Sequence, residues 1–524
     1  MHLFNFTRWF RRSTTSDEGS TTLTTLDDEI RRLCRTLPTS IKRKVKSWSV
    51  PNRFTVFTNI KGFDTEMQGF KELFNRYLKE RTETKMDWSK ITAARRDIVS
   101  YDSLLKDADN ETLKKLAVLK VNGGLGLTGA KSALKVQDGL TFLDLTVQQL
   151  QHLNMTKGTD IPLILMTSFA TYEDTIRIVK NRGHVRTTTF NQSRYPALFA
   201  DSHRLCPKDA GPSNKALWYP PGHGDLYTAL HRSGVLDRLL SEGKEYLFVS
   251  NSDNVAATVD EKILQYMIDT RSEFLMEVVD KTKADVQGGT LVEYEDSLQL
   301  LELAQVPPDH LEDFGSARKF STFNTNNLWI DLKAIRRIMT TGGMALPIIE
   351  NVKTTEAGEV IVQVKAAITL STSTHTYTTA LIKLETAAGS AIKYFRNPRG
   401  VHVPRTRFLP VKDCSDLLLV RSDLYNVANG QLTFSDKRMF KTPPIVKLGE
   451  QFRNIDSFQR RFKTVPSLVD LDHLTVAGDV SFGRSVTLRG TVVVTASEGQ
   501  TIEVPDGCLL ENKLLAGALN MTRL

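Results

Sequence analysis

Three short apolar runs set the limits of the fold. Leu116–Val121 (LAVLKV), Ile161–Met166 and Tyr246–Ser250 (YLFVS) each stop at a polar or glycine-rich turn. Runs of this length between breakers read as buried strands. Helical patterns lie between them: Tyr172–Asn181 follows the second, and Asp225–Leu240, broken near Gly234, precedes the third. Val185–Phe190 adds a strand rich in threonine. Strands alternating with helices imply an α/β fold with a mostly parallel sheet, whose ligands bind beyond the strands' carboxyl ends.

The text changes on either side of this block. Residues 1–25 read as a tail, with Phe4, Phe6, Trp9 and Phe10 among arginines and then a Ser/Thr run. Residues 26–50 read as a basic helix with Leu26, Ile30, Leu33 and Leu37 on one face. After residue 273 strands dominate: Glu273–Val279, Thr290–Tyr294 and Gln299–Val306. Val352–Thr379 is rich in Ser and Thr and carries no pattern. From Val465 onward apolar pairs recur at close spacing: Leu474-Val476, Val480-Phe482, Val486-Leu488, Val492-Val494 and Ile502-Val504. That rung-like pattern suggests stacked strands or a small β-helix, with a β-sandwich fragment as the alternative.

Charge and cysteine usage narrow the partners. Of the net charge of +9, residues 1–50 supply +5, from ten Lys/Arg against five Asp/Glu. The body is only modestly basic and has no nucleic-acid-binding motif, which suits an acidic small substrate better than DNA or RNA. No apolar run approaches the roughly 18 residues of a membrane helix. Cys34, Cys206, Cys414 and Cys508 are far apart and form no C-x-x-C pair. Free thiols and the lack of a secretory pattern lead to the expectation of a cytoplasmic protein.

Five segments carry candidate chemistry. Asn122–Ser132 (NGGLGLTGAKS) follows a strand, and its glycines let backbone N–H groups approach an anion while Lys131 neutralises a phosphate. A tight turn packing a helix on the sheet is the alternative. The segment is no Walker A motif, because Ala130 stands where the lysine belongs, and no dinucleotide fingerprint. In Pro220-Pro221-Gly222-His223-Gly224-Asp225 two prolines and two glycines fix a turn, His223 faces a phosphate or base, and Asp225 is expected to cap the next helix. Asp253 ends a strand and supplies one carboxylate for Mg²⁺, enough when substrate phosphates complete the octahedron. The amide of Gln192 matches the donor and acceptor edge of uracil. Asn324 and Asn326 alternate along a strand, so both face one way and suit sugar hydroxyls; buried amides bonded to backbone are the alternative.

Taken together, VNGGLG, DGLTFLDLTVQQLQHLN, FNQSRYP, WYPPGHGD, GKEYLFVSNSDN, ADVQGGTLVEYED, FNTNNLWIDLKAI, LETAAGSAIKYF, VPRTRFLPVK and VPDGCLLENK occur in this order. From about residue 75 to 515 the chain resembles the eukaryotic UTP–glucose-1-phosphate uridylyltransferases, or UDP-glucose pyrophosphorylases. The resemblance implies a glycosyltransferase-A-like (Rossmann-like) mixed sheet with a C-terminal left-handed parallel β-helix. It divides the chain into a tail (1–25), a helical region (26–110), a nucleotidyltransferase domain (111–410), a linker (411–464) and an oligomerising β-helix (465–524).

Carried over by position, the resemblance assigns UTP to Val121, Asn122, Gly123, Gly124, Lys131, Gln192, Gly222, Asp253 and Lys393. It assigns the sugar phosphate to His223, Asn251, Gly288, Gly289, Asn324 and Asn326, with Asn251 also matching a ribose contact. Lys131 and Lys393 are the implied catalytic residues, and Asp253 the Mg²⁺ ligand. The implied reaction takes UTP and glucose 1-phosphate to UDP-glucose and pyrophosphate by direct displacement, in a homo-oligomer that reaches an octamer in animal and fungal members.

Two stretches depart from the family's pattern. Only Leu127 and Thr128 separate Gly126 from Gly129-Ala130-Lys131. The loop is about four residues short, so roughly 13 Å of chain is missing. Val364–Lys383 reads as extra sequence before LETAAG. The short loop favours a non-catalytic UDP-sugar-binding or assembly protein. Lys131, Asp253 and Lys393 together favour an enzyme, because binding alone needs no second lysine.

Overall fold

The computed structural model describes residues 26–33, 49–50, 54–56, 62–80, 86–126, 129–180, 185–200, 202–208, 217–282, 285, 288–355 and 379–517. The tail expected over 1–25 lies outside these residues, as do Cys34, Leu37, Leu127, Thr128 and most of 364–383.

Ten strands form the main sheet: β1 (Ser49–Val50), β2 (Phe54–Val56), β3 (Ile98–Ser100), β4 (Leu116–Val121), β5 (Leu163–Thr167), β6 (Thr187–Asn191), β7 (Tyr246–Asn251), β8 (Phe274–Asp280), β9 (Thr322–Asp331) and β10 (Arg399–His402). Their spatial order is β1-β2-β6-β5-β4-β7-β9-β8-β10-β3. β2, β6, β5, β4 and β7 are parallel, and β9 runs antiparallel between β7 and β8. The chain steps outward from β4 through β5 to β6, then returns to β7 on the other side of β4. A crevice opens where the direction reverses, at the carboxyl ends of β4 and β7.

Period-two burial on both faces explains why these strands read as continuous apolar runs. Ala117, Leu119, Ile164, Met166, Leu247 and Val249 join the core on one face. Leu116, Val118, Leu163, Leu165 and Phe248 join the core on the other. Each of these side chains larger than alanine contributes about 1.5–3 kcal/mol when fully buried. The helix Phe142–Lys157 that links β4 to β5 starts at a capping box of Thr141 and Asp144 and stops at left-handed Gly158. Gly234 (φ 78°) breaks the helical run expected over Asp225–Leu240 into Leu226–Arg232 and Val235–Ser241.

Three expectations need correction. Residues 26–110 are not solely helical: beside the helices over 26–33 and Gly62–Glu80 they hold β1, β2, β3 and Ile91–Ala93. Such strands of two or three residues are too short to show a period. The strand expected over Gln299–Val306 spans Ser297–Leu301 and gives way to a tight turn at Leu303–Gln305. There the Gln305 side chain accepts the backbone N–H of Glu302 at 2.9 Å. Residues 379–383, read as part of an extra segment, form the strand Thr379–Glu385, paired with Ile349–Thr355 and Leu198–Phe199.

The C-terminal pattern builds stacked parallel strands, not a sandwich. Ile445–Leu448, Leu471–Ala477, Thr487–Thr495 and Leu509–Ala516 form one parallel ladder, and Asp479–Phe482 with Thr501–Val504 another. The expected apolar pairs, from Leu474-Val476 to Ile502-Val504, are buried between them. Residues 411–464, expected as a linker, contain the helices Cys414–Arg421 and Ile455–Arg461 and share that apolar cluster. The amide of Gln137 donates to the carbonyls of Val420, Ser422 and Tyr425.

Candidate active site

Nine of the expected residues meet in one cleft of about 840 Å³: Val121, Gly123, Gly124, Lys131, Gln192, Gly222, His223, Asn251 and Asp253. Most follow the carboxyl ends of β4, β6 and β7. Phe169, Trp218, Tyr219 and Pro220 add apolar walls.

At one end the amide of Gln192 is clasped between two glycines. Its nitrogen donates to the Gly222 carbonyl at 3.2 Å. A Cβ on Gly123 would lie 2.4 Å from its oxygen. Gly222 has φ +82°, and a Cβ there would lie 2.6 Å from the Thr386 carbonyl. Ser193 fixes the strand end behind Gln192: its N–H and hydroxyl donate to Asp225 at 2.6 and 3.1 Å. Asp225 therefore does not cap the helix after it. The turn His223–Asp225 already runs into that helix, which leaves the carboxylate free to point back under the Gln192 loop.

At the other end Lys131 meets Asp253 at 2.8 Å, across the reversal point of the sheet. The short loop closes as a two-stranded hairpin, with Leu125 opposite Ala130 and Gly126 opposite Gly129. The hairpin delivers Lys131 into the cleft despite the missing residues. Among the described residues no three His, Cys, Asp or Glu side chains converge. A cage built from protein alone is therefore absent there. One carboxylate, with its side chain 10% exposed, fits Mg²⁺ when phosphates supply further oxygens.

His223 is held in one tautomer. Its Nδ1 accepts the Ala388 N–H at 2.9 Å, so the neutral ring carries its proton on Nε2. Burial lowers its pKa from 6.5 to about 4. It enters the cleft as a neutral hydrogen-bond donor.

The amides expected to face a sugar lie beside Asn251. Asn326 donates to the Asn251 side-chain oxygen at 2.8 Å. Its own side-chain oxygen is buried without a partner, and its φ is +59°. The ladder between β8 and β9 shifts register between Met276 and Val278, opposite this residue. Simple alternation of Asn324 and Asn326 therefore fails: the Asn324 side-chain oxygen accepts the Asn326 N–H at 2.8 Å. Gly289 accepts the Asn324 N–H at 2.9 Å. A Cβ on Gly288 would overlap the Phe323 ring at 1.8 Å.

Six expected residues are absent from the cleft lining: Gly288, Gly289, Asn324 and Asn326, of which Asn326 reaches it through Asn251, and Asn122 and Lys393. Asn122 is 1% exposed. It turns away from the cleft to donate to Thr175 at 2.8 Å and accept from Ser252 at 3.3 Å, so it shapes the loop. Lys393 is absent from the cleft lining. It projects from the turn Ala388–Tyr394, whose Ala388, Ala391 and Ile392 are buried, and the charges acting on it are Arg76 and Glu80. Packing of that apolar face turns the lysine outward.

Sequence reasoning missed three acids and bases. Lys383 and Glu385 line the cleft from Thr379–Glu385. Glu302 lies against Gly289, whose Cβ would stand 2.8 Å from its carboxylate. Burial raises the Glu302 pKa to about 7. The signal for it was an acid inside the apolar run Leu300–Val306.

Comparison with known proteins places this geometry among relatives. A family model described as UTP–glucose-1-phosphate uridylyltransferase matches residues 67–489. A Schizosaccharomyces pombe protein named probable UTP–glucose-1-phosphate uridylyltransferase is 45% identical over 472 residues, 88% of this chain and 90% of that one. The Hordeum vulgare UTP–glucose-1-phosphate uridylyltransferase is 46% identical over 466 residues, 87% of this chain and 94% of that one. A variant of the Leishmania major UDP-glucose pyrophosphorylase, solved with UDP-glucose, superposes with a TM-score of 0.72 at 34% identity, covering 86% of this chain and 98% of that one.

Proposed function

The chain belongs to the UTP–glucose-1-phosphate uridylyltransferase family, and from that premise we propose how its cleft carries out the family's reaction. That reaction transfers a uridylyl group from UTP to glucose 1-phosphate and gives UDP-glucose and pyrophosphate. The observation that carries the proposal is the 2.8 Å contact of Lys131 with Asp253, made in spite of the short loop.

Gln192 reads the uracil edge between Gly123 and Gly222. Lys131 exchanges its contact with Asp253 for the phosphate oxygens of UTP. His223 donates its Nε2 proton in a hydrogen bond to the sugar phosphate. Asn251, Asn324, Asn326 and the Gly288–Gly289 turn, with Glu302 behind it, receive the hexose. A phosphate oxygen of glucose 1-phosphate attacks the α-phosphorus, and the bond from that phosphorus to the oxygen bridging the β-phosphate breaks. Pyrophosphate leaves, and no protein nucleophile takes part. Two unit charges 4 Å apart repel by about 4 kcal/mol at an effective dielectric near 20, so cations must line the path. Asp253 would hold Mg²⁺ together with the phosphates, and that ion screens their repulsion. Lys393 keeps a phosphate role on the strength of the resemblance. That role requires the Ala388–Tyr394 turn to swing toward the cleft with substrate bound.

The test is pyrophosphorolysis with purified protein, UDP-glucose, pyrophosphate and Mg²⁺. Mg²⁺-dependent release of glucose 1-phosphate is expected. No release from folded protein would move the reading to a UDP-sugar-binding or assembly protein with an inadequate loop.

The finer architecture belongs to the same proposal: a glycosyltransferase-A-like sheet over 111–410, and left-handed winding of the stacked strands that end the chain. Among the described residues the outer strand Leu509–Ala516 is the open edge of its ladder, and it exposes Leu509 by 50% and Leu514 by 70%. That edge supports self-association through the C-terminal unit. Sedimentation is expected to find species larger than the 58.9 kDa chain; a lone monomer would remove the idea. Among the described residues no helix is long and apolar enough to cross a membrane. Among the described residues Cys414 and Cys508 are free thiols, which supports a reducing compartment, the cytoplasm.

A further inference from the structure

We infer that Lys120 is a positioning residue for the reaction: its side-chain nitrogen ties together the two ends of the segment that carries Asp253. The inference rests on the reading of Asp253 as the carboxylate on the metal side.

Lysine is an unexpected residue in the middle of LAVLKV. It is 2% exposed and lies inside a strand buried along nearly its whole length. Burying an amine is costly unless its hydrogens find partners. Lys120 Nζ donates to Ser250 Oγ at 2.8 Å and to the Ala257 carbonyl at 3.0 Å. Burial lowers its pKa to about 7. Two of the amine's N–H donors find acceptors within hydrogen-bond distance.

Those acceptors frame the functional turn. Ser250 is the direct neighbour of Lys120 between β4 and β7. Ala257 lies seven residues later, on the far side of Asn251, Ser252, Asp253 and Asn254. Asn254 is pinned separately, accepting the Leu409 N–H at 2.9 Å. Lys120 touches none of the cleft; it borders a separate cavity of about 70 Å³ with Thr146 and Gln149 behind the sheet. A methionine of similar length would fill the same space without desolvating an amine, so the gain from lysine is geometric.

The decisive variant is Lys120→Met. Its melting temperature is expected to fall modestly, because the Ser250 hydroxyl and the Ala257 carbonyl lose their donor. Amide hydrogen exchange at 251–257 should accelerate by about tenfold or more while β5 and β8 stay protected. In pyrophosphorolysis kcat should fall by about 10–10²-fold, with KM for UDP-glucose within about twofold. Ser250→Ala, which removes one acceptor, should move exchange and kcat the same way by a smaller factor, and it decides the matter if Lys120→Met does not fold. Unchanged exchange at 251–257, or unchanged kcat in a folded variant, overturns the inference. Asp253→Asn serves as the control: if its Mg²⁺ dependence is intact, the metal reading fails, and the exchange data still decide the role of Lys120.

Discussion

Replacing Lys131 by methionine is expected to lower kcat for pyrophosphorolysis by about 10²–10³-fold, the loss seen when one charge-stabilising group is removed from a transition state. In the free protein this lysine is the counter-ion of Asp253 at 2.8 Å. In the proposed reaction it is the cation that the phosphates of UTP take over from Asp253. The substitution therefore acts twice, leaving Asp253 unpaired before substrate binds and the phosphates undercompensated afterwards. Steady-state kinetics at saturating Mg²⁺ give the number. A kcat within about threefold of the parent would mean that the phosphates bind elsewhere. Lys393→Met in the same assay separates the two lysines: a comparable loss requires the Ala388–Tyr394 turn to move on binding, and no loss leaves Lys131 as the working cation.

Gly123→Ala is expected to raise KM for UTP by about 10–10²-fold, the effect of losing roughly 1.4–2.8 kcal/mol of binding. The added methyl would start 2.4 Å from the Gln192 side-chain oxygen and 2.9 Å from its amide carbon. Gln192 cannot hold its place and must rotate off the Gly222 carbonyl, losing the fixed orientation proposed to read a base edge. The backbone at Gly123 needs no left-handed conformation, so the penalty is one of contact and the fold should survive. Isothermal titration with UTP against uridine checks the assignment. Equal weakening of both supports a defect at the base end. Weakening of UTP alone would place the methyl against the phosphates and overturn the role of Gln192.

The catalytic half was legible because burial on both faces of a parallel sheet writes itself as short apolar runs with polar ends. Leu116–Val121 and Thr290–Tyr294 have the expected bounds. The nine residues gathered in the cleft were assigned by resemblance, and most of them also obey the rule that ligands meet loops at the carboxyl ends of strands. What the text hid depends on contacts distant in sequence. Asp225 looks like a helix cap until Ser193 is seen to donate to it. Asn324 and Asn326 look equivalent until the register shift opposite them separates their roles. Lys383 ended the segment read as extra sequence and Glu385 stood in the LETAAG motif, and only pairing with Ile349–Thr355 puts both on one strand. Lys393 was named by resemblance, and the buried side of its own turn decides where it points.

The order of strands also sets a timetable for synthesis. Ile98–Ser100 closes the edge of the main sheet by pairing with Arg399–His402. These partners are about 300 residues apart, so at roughly 5–20 residues per second the ribosome needs about 15–60 s between them. Throughout that interval the nascent sheet has an unfinished margin, and chaperones have time to act on it. The C-terminal ladders face no such delay. Val480 pairs with Ile502 and Leu474 with Val492, so each rung closes soon after it emerges. The part of the chain made last therefore folds fastest, and the nucleotide cleft matures only once nearly all of its own domain has been translated.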